Sequence, residues 1–170
     1  CYDYAQDKAK KTASPNGNKV NVIYDPPTVN EFEKTIIDYM EDFKQPDGTY
    51  TPTIITLDHA RKILRGSDTE TEMLYKLGAV INSLKRKYPI IFIILNHLLR
   101  EVDRAERNEP GKYGKYIVPS DIFGGDSLQQ NADILVAFNI PSKQDLRYYG
   151  PSRYIMEEDT LVAHFLKVRN

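Results

Sequence analysis

The stretch Ile90-Ile91-Phe92-Ile93-Ile94-Leu95 is apolar at every position. A strand with one face in water alternates apolar and polar residues. A continuous apolar run of this length is typical of a strand covered on both faces, as in a parallel sheet. Pro89 stands immediately before the run, and the polar pair Asn96-His97 follows it. The sequence therefore predicts a buried strand whose carboxyl end presents an amide and an imidazole.

The residues that precede this strand predict two helices. One is expected to begin at Ser67-Asp68-Thr69-Glu70 and to end in Lys85-Arg86-Lys87, where cations suit the helix dipole. An earlier helix is expected after Thr28, because Glu31 completes a capping-box pattern with it. The apolar stripes of the two helices comprise Phe32, Ile36, Ile37, Met40 and Phe43, and Leu74, Leu77, Ile81 and Leu84.

Further strands, together with these helices, define the fold class. They are predicted over residues 20–24, 53–57, 133–138 and 161–166. The order strand–helix–strand–helix–strand requires crossover connections, which are right-handed and produce parallel strands. We therefore predict an α/β fold with a twisted, mainly parallel sheet and helices on both faces.

Length and composition limit the classes of protein that remain. The chain has 170 residues, of which 41% are apolar, and one globular domain is expected. Its 23 basic and 24 acidic residues nearly cancel, which excludes the overall positive charge of a bulk nucleic-acid coat protein. A single cysteine excludes a disulfide framework and fits a reducing compartment. No apolar run is long enough to predict a membrane span.

The polar residues 1–19 are predicted to be a tail or the end of a preceding element, which leaves 20–170 as the domain. Because the chain begins with Cys1 rather than methionine, we expect it to be a fragment or a processed product.

Three polar residues lie where strands of the predicted sheet end. Ligands bind at the carboxyl ends of strands in open parallel sheets, and Asp58, Asn96 and His97 occupy such ends. A carboxylate there is well placed to hold magnesium, directly or through water. An aspartate in a helix N-cap or a loop is the alternative. Asn96 and His97 are suited to contact a phosphate or to orient water, and the alternative for the histidine is an ordinary loop residue.

The hydrophilic segment 96–119 combines basic side chains with Tyr113 and Tyr116. Basic and aromatic residues on one loop are typical of single-strand nucleic-acid binding. A solvated charged loop is the alternative, since acidic residues nearly cancel the charge. The candidate nucleic-acid contacts in this segment are Arg100, Arg104, Arg107, Lys112 and Lys115.

Three shorter patterns bear on phosphate chemistry. Gly124-Gly125-Asp126-Ser127 is suited to present backbone N–H groups to a phosphate, or forms a simple turn. Lys167 and Arg169 lie on one side of the last strand because side chains alternate with period two, and surface charge is the alternative. Tyrosine follows both Gly111-Lys112 and Gly114-Lys115, and no Walker A motif is present.

From about residue 20 to 170, the order of these motifs resembles the later part of the RecA-like ATPase domain of DnaB-type replicative helicases. Ile54-Ile55-Thr56-Leu57-Asp58 is similar to the family's Walker B strand. The segment 93–103 is similar to the family segment that contains Ser-Gln-Leu-Asn-Arg-Glu-Val-Glu. Ser120-Asp121-Ile122 and Ser127-Leu128-Gln129-Gln130-Asn131-Ala132-Asp133 are similar without gaps to Ser-Asp-Leu and Ser-Ile-Glu-Gln-Asp-Ala-Asp. Leu166-Lys167-Val168-Arg169-Asn170 resembles the family's Lys-x-Arg-Asn.

The resemblance implies ATP and Mg²⁺ as cofactors. Asp58 would be the aspartate that holds magnesium through water. His97 would stand where the family has a glutamine that senses the γ-phosphate. Lys167 and Arg169 would reach the nucleotide of a neighbouring subunit as an arginine finger. We assign catalysis to Asp58, His97, Lys167 and Arg169, and nucleotide binding to Asp58, Asn96, His97 and Gln130.

The resemblance also implies partners and a location. ATP hydrolysis would draw single-stranded DNA through a homo-oligomeric, hexameric ring in the cytoplasm of a bacterial or phage-infected cell, with a primase or a helicase loader as further partners. The family's loops over 100–127 face the pore, which adds Gly124, Gly125 and Asp126 to the candidate DNA contacts.

Several departures from the family qualify these expectations. Phe123 replaces an arginine that helps to hold DNA, and His59 replaces a tyrosine. The family's phosphate loop and catalytic glutamate lie upstream of the matched region, so we expect the chain by itself not to hydrolyse ATP. Another RecA-like ATPase, such as a recombinase or a primase–helicase, is an alternative. A ring-forming DNA-binding module without catalysis is a further one.

Overall fold

The structure is a computed structural model that describes residues 12–13, 19–20, 22–23, 25–103, 108–109 and 113–169. The helices are α1 (Val29–Asp42), α2 (Glu70–Lys87) and α3 (Gly125–Asn131). The strands are β1 (Thr12–Ala13), β2 (Lys19–Val20), β3 (Thr53–Leu57), β4 (Ile90–Ile94), β5 (Asn108–Glu109), β6 (Tyr113–Gly114), β7 (Ile134–Asn139), β8 (Tyr148–Tyr149), β9 (Tyr154–Ile155) and β10 (Val162–Val168).

A strand–helix–strand unit forms the centre of the molecule. β3 and β4 pair in parallel, in register from Thr53 opposite Ile90 to Leu57 opposite Ile94. α2 connects the two strands, as the sequence predicts. The strand predicted at 53–57 is confirmed, and the apolar run that begins at Ile90 is a strand as far as Ile94.

Both long helices begin at the predicted N-terminal signals, and both have complete capping boxes. In α1, the backbone N–H of Thr28 donates to Glu31 at 2.8 Å, and the N–H of Glu31 donates to the Thr28 hydroxyl at 3.3 Å. In α2, Thr69 and Glu72 make the equivalent pair of bonds at 2.8 and 3.2 Å. These bonds satisfy donors that the first turn of a helix would leave without partners.

The core lies between the two long helices and one face of the β3–β4 pair. Most of the predicted stripe residues are buried, which confirms the helical periodicity. The helix residues in this core are Phe32, Ile36, Met40, Leu74, Leu77, Ile81 and Leu84, with Ile37 partly buried beside them. The strand residues on this face are Ile55, Leu57, Ile90, Phe92 and Ile94. Each fully buried side chain of this size contributes roughly 1.5–3 kcal/mol, so burial holds the helices on the sheet.

The opposite face of the β3–β4 pair is exposed. Ile54, Ile91, Ile93 and Leu95 retain 64, 62, 46 and 47% of their accessible surface. The prediction that the apolar strand is covered on both faces is therefore wrong for the described chain. The reason is that α1 and α2 pack on the same side of the pair.

The last two long strands pair antiparallel. β7 and β10 run in register from Asn139 opposite Val162 to Ile134 opposite Val168, with an irregularity between Phe165 and Lys167. Both strands begin and end within two residues of the predicted bounds. The α/β class is confirmed. The twisted, mainly parallel sheet stays a prediction, because β3–β4 is the parallel pair among the longer described strands.

The structure contains short strands in segments for which the sequence predicts no strand. Strands β5, β6, β8 and β9 form a four-stranded sheet, and each has two residues. Part of this sheet falls in the polar segment between the predicted strands at 133–138 and 161–166. The strand predicted at 20–24 is not confirmed. Val20 ends β2, which pairs with β1, Val22 and Ile23 lie in no strand, and Asn21 and Tyr24 lie outside the described residues.

Candidate functional site

The carboxyl ends of β3 and β4 lie side by side. The backbone N–H of Leu95 donates to the carbonyl of Leu57 at 3.0 Å, and the N–H of Ala60 donates to the carbonyl of Leu95 at 3.1 Å. These two bonds extend the contact between the chain segments beyond the sheet. Asp58 and His97 therefore lie at the same edge of the sheet, as predicted, and both side chains are exposed.

Two histidines meet at this edge. The rings of His59 and His97 have centroids 4.3 Å apart and planes inclined by 69°, an edge-to-face arrangement. His59 is the residue before the 3₁₀ turn Ala60–Lys62. Within the described chain, its Nδ1 atom is buried and has no hydrogen-bond partner. His59 was not predicted as a site residue, and its position directly after Asp58 was the available signal.

The side chain of Asn96 joins the end of β4 to the loop before α3. Its Nδ2 donates to the carbonyl of Phe123 at 2.7 Å, and its Oδ1 accepts the N–H of His97 at 2.9 Å. The N–H of Phe123 donates to the carbonyl of His97 at 2.9 Å. The amide predicted to contact a phosphate is thus engaged within the chain, where it fixes the backbone of His97.

Gly124 follows in the same loop, and its conformation requires glycine. Its φ is +67°, and a Cβ atom here would collide with Cδ1 of Leu74, a buried residue of α2. The glycine therefore brings the loop close to the core. Gly125 begins α3, a helix of 7 residues. Glycine at position 124 thus has a structural reason that is independent of any phosphate.

Arg61 supplies a cation close to this loop. Its guanidinium carbon lies 4.4 Å from the centroid of the Phe123 ring, and its Nε atom is 3.1 Å from a carboxylate oxygen of Glu70. Phe123 is partly buried against the core. Arg61 was not predicted as a site residue, because its proximity depends on the 3₁₀ turn after β3.

The two cations at the end of β10 contact the end of α3 within the same chain. Lys167 donates from Nζ to the carbonyls of Gln129 and Gln130, the latter at 3.2 Å, and Arg169 donates to the carbonyl of Gln130 at 2.9 Å. Cations suit the carbonyl end of a helix. The predicted finger residues therefore hold α3, and the side chain of Gln130 is exposed beside them.

Asp133 adds a carboxylate beside these cations. Its carboxylate accepts a hydrogen bond from Lys85 of α2 and lies 3.8 Å from a guanidinium nitrogen of Arg169. The hydrogen bond from Lys85, followed by the charges of Lys85, Arg169 and Lys167, holds the pKa of Asp133 below its usual range. An ionised Asp133 thus joins α2 to the end of β10.

The predicted DNA-binding loop is described only in part. Arg100 lies in the 3₁₀ turn Arg100–Asp103 and is exposed, and Lys115 is exposed after β6. Arg104, Arg107 and Lys112 lie outside the described residues, as does the side chain of Asp126.

The chemistry at this edge is compatible with magnesium held through water. Among the described residues, no group of three or more His, Cys, Asp or Glu side chains is arranged to hold a metal ion. A magnesium ion that keeps several waters and binds a nucleotide needs one or two protein carboxylates. The exposed carboxylate of Asp58 satisfies that requirement.

No protein-family model matches the chain, and no curated protein sequence matches it significantly. None of the described helices is long and apolar enough to cross a membrane. The fold and the site together define a mixed α/β protein with an acid and two histidines at the carboxyl edge of a parallel strand pair.

Proposed function

We propose that this chain is the later part of the RecA-like ATPase domain of a DnaB-type, ring-shaped replicative helicase. Such a protein couples ATP hydrolysis to the translocation of single-stranded DNA. The observation that carries the proposal is the common position of Asp58 and His97 at adjacent ends of two parallel strands. The proposal includes the finer fold class, a twisted, mainly parallel sheet to which β3 and β4 contribute two strands.

The roles of the site residues follow from their positions. Asp58 would hold magnesium through water, and His97 would contact the γ-phosphate from the neighbouring strand end. His97 is joined to the 119–124 loop through Asn96 and Phe123, so a shift of the histidine on hydrolysis would move that loop. In a ring, this loop would face the DNA together with Arg100 and Lys115.

Lys167 and Arg169 would act across a subunit boundary. An arginine supplied in trans accelerates phosphoryl transfer by about 10³–10⁵-fold in enzymes that use one. In this role the two cations would exchange their contacts with the carbonyls of α3 for the phosphates of a neighbouring subunit. Because Gln130 provides one of those carbonyls, such an exchange would change the contacts of α3 and of the loop before it.

The test uses the polypeptide as its gene encodes it. We expect magnesium-dependent ATP hydrolysis that single-stranded DNA stimulates, together with strand displacement on a forked substrate. Asp58→Asn should abolish both activities. Asp38→Asn, at an exposed position on α1, should leave both unchanged. Hydrolysis that persists in Asp58→Asn would contradict the assigned nucleotide site.

The subunit boundary is tested with mixed oligomers. Arg169→Ala should keep ATP binding and lose turnover, and mixing it with Asp58→Asn subunits should restore part of the turnover, since some boundaries then carry both intact residues. Asp133→Asn is the matched control, because it removes the ion pair of Arg169 while keeping the arginine. Normal hydrolysis by the Arg169→Ala variant would contradict the role in trans.

A further inference from the structure

A polar cluster with a buried centre lies away from the strand-end site, where β7, β8 and β10 meet. Its members are Tyr116, Asn139, Tyr149 and His164, and we call it the tyrosine–histidine cluster. Asn139 and Tyr149 are buried, His164 is partly buried, and Tyr116 at its edge is 37% exposed. The Tyr149 side chain is 1% exposed, and its hydroxyl is 3.1 Å from Nε2 of His164. The ring centroids of Tyr116, Tyr149 and His164 are 5.5, 5.5 and 5.6 Å apart, so the three rings pack on one another.

Hydrogen bonds join the members of the cluster. Nδ2 of Asn139 donates to the Tyr149 hydroxyl at 3.1 Å and to Oε1 of Gln144 at 3.2 Å. The oxygen of Tyr149 accepts this bond, and the direction of the bond between its hydroxyl and Nε2 of His164 depends on the tautomer of the imidazole. An accepting Nε2 requires a neutral imidazole with its proton on Nδ1. Protonation would turn Nε2 into a donor and reverse the bond.

The cluster connects two sheets that share no strand pairing. β8 belongs to the four-stranded sheet, whereas β10 pairs with β7. Strands β6, β8 and β9 have two residues each, and strands of this length are not stable without further packing. The contact of Tyr149 and Tyr116 with His164 supplies such packing on β10.

We propose that the contact between Tyr149 and His164 is an acid-sensitive device that holds the four-stranded sheet on the β7–β10 pair. At neutral pH, a neutral imidazole with its proton on Nδ1 accepts a hydrogen bond from the Tyr149 hydroxyl and packs against both phenol rings. In mild acid, protonation would reverse that bond and leave a charged imidazole partly buried against the two rings, and the four-stranded sheet would separate from β10.

The groups that face His164 favour its neutral form. β8 presents Tyr149, the loop after β6 presents Tyr116, and β7 presents Ala137 directly across the strand pair. Within the described chain, no ion pair involves His164. Burial lowers the pKa of His164 below its ordinary value, and no charge on the residues that the structure describes compensates for the loss of water.

The sign of the pH dependence follows from this lowered pKa. The unfolded chain binds a proton at His164 at a higher pH than the folded chain does, near the ordinary value of about 6.5. The stabilising contribution of the neutral ring is therefore complete above that pH and is lost as the pH falls through it. The same argument applies to local separation of the four-stranded sheet.

Amide hydrogen exchange of the 170-residue chain, followed by NMR at pH 7.5 and 5.5, tests the proposal. The reporters are the N–H groups of Gly150 and Met156, which donate to the carbonyls of Gly114 and Arg147 at 2.9 and 3.0 Å. After correction for the intrinsic rates, their protection should fall several-fold at pH 5.5. The N–H of Leu95, which donates to Leu57, should lose less protection and serves as the internal reference.

Variants separate the histidine from general effects of acid. His164→Gln stays neutral at both pH values, and the protection of Gly150 should then be nearly the same at both. Tyr149→Phe should lower that protection at pH 7.5 and reduce its pH dependence, whereas Tyr148→Phe should behave as the parent chain. Equal protection of Gly150 at both pH values in the parent chain would overturn the proposal. A loss of protection that persists in His164→Gln would also overturn it.

Discussion

At the end of β3, four consecutive residues have four different environments. Leu57 is buried in the core, Asp58 is exposed, His59 is partly buried against His97, and Ala60 is buried completely. The sequence was sufficient to predict that Asp58 lies at a strand end, because the apolar run before it marks the strand. The contact between His59 and His97 could not be predicted, since it depends on the path of the chain after the strand and not on any periodicity.

A prediction at this scale concerns Gly124. Gly124→Ala should destabilise the chain, because the new Cβ atom would collide with Leu74, which is held in the core by α2. Overpacking of this kind typically costs about 1–3 kcal/mol. Gly66→Ala is the matched control, since Gly66 has a similar φ of +60° with open space around it. Urea denaturation of both variants measures the difference, and equal free energies of unfolding would contradict the close packing of the loop.

At the scale of elements, local signals predicted more than long-range packing did. The capping boxes at Thr28 and Thr69 and the apolar stripes of α1 and α2 depend on residues within one or two helical turns, and the structure confirms them. The cover on the second face of β4 depends on segments distant in sequence, and that prediction was wrong. The two-residue strands β8 and β9 contain too few residues for any alternation to be visible.

The capping box of α2 provides a prediction for an element. Thr69→Ala removes the hydroxyl that accepts the N–H of Glu72, and loss of such a cap typically costs about 0.5–2 kcal/mol. Thr71→Ala, two residues further on at an exposed helical position, should change the free energy of unfolding much less. Thermal denaturation followed by circular dichroism compares the two variants. A Thr69→Ala variant as stable as Thr71→Ala would show that the cap contributes little.

At the scale of the whole molecule, the exposed face of the β3–β4 pair is the main departure from an ordinary globular protein. Ile54, Ile91 and Ile93 form an apolar surface on neighbouring strands, and large surfaces of this kind promote association. The sequence predicted apolar residues at these positions. It could not show that both described long helices would cover the same side.

We expect the chain by itself to self-associate through this face. The double variant Ile54→Thr and Ile91→Thr keeps β-branched side chains in both strands and reduces the apolar surface. It should shift the sedimentation velocity profile towards the monomer. Leu161→Thr is the control, because Leu161 is exposed outside the β3–β4 pair. A parent chain that stays monomeric up to high concentration would contradict this expectation.

The central claim is that Asp58 and His97 serve one bound nucleotide. A double-mutant cycle on magnesium-dependent ATP turnover tests it most directly, with Asp58→Asn, His97→Ala and the combined variant in the polypeptide as encoded. Groups that act on the same transition state are strongly non-additive. We predict that each single substitution lowers kcat by on the order of 10²-fold or more, and that the combined variant is little worse than the more damaging single one. Losses that multiply, or a His97→Ala variant with the turnover of the parent, would contradict the claim.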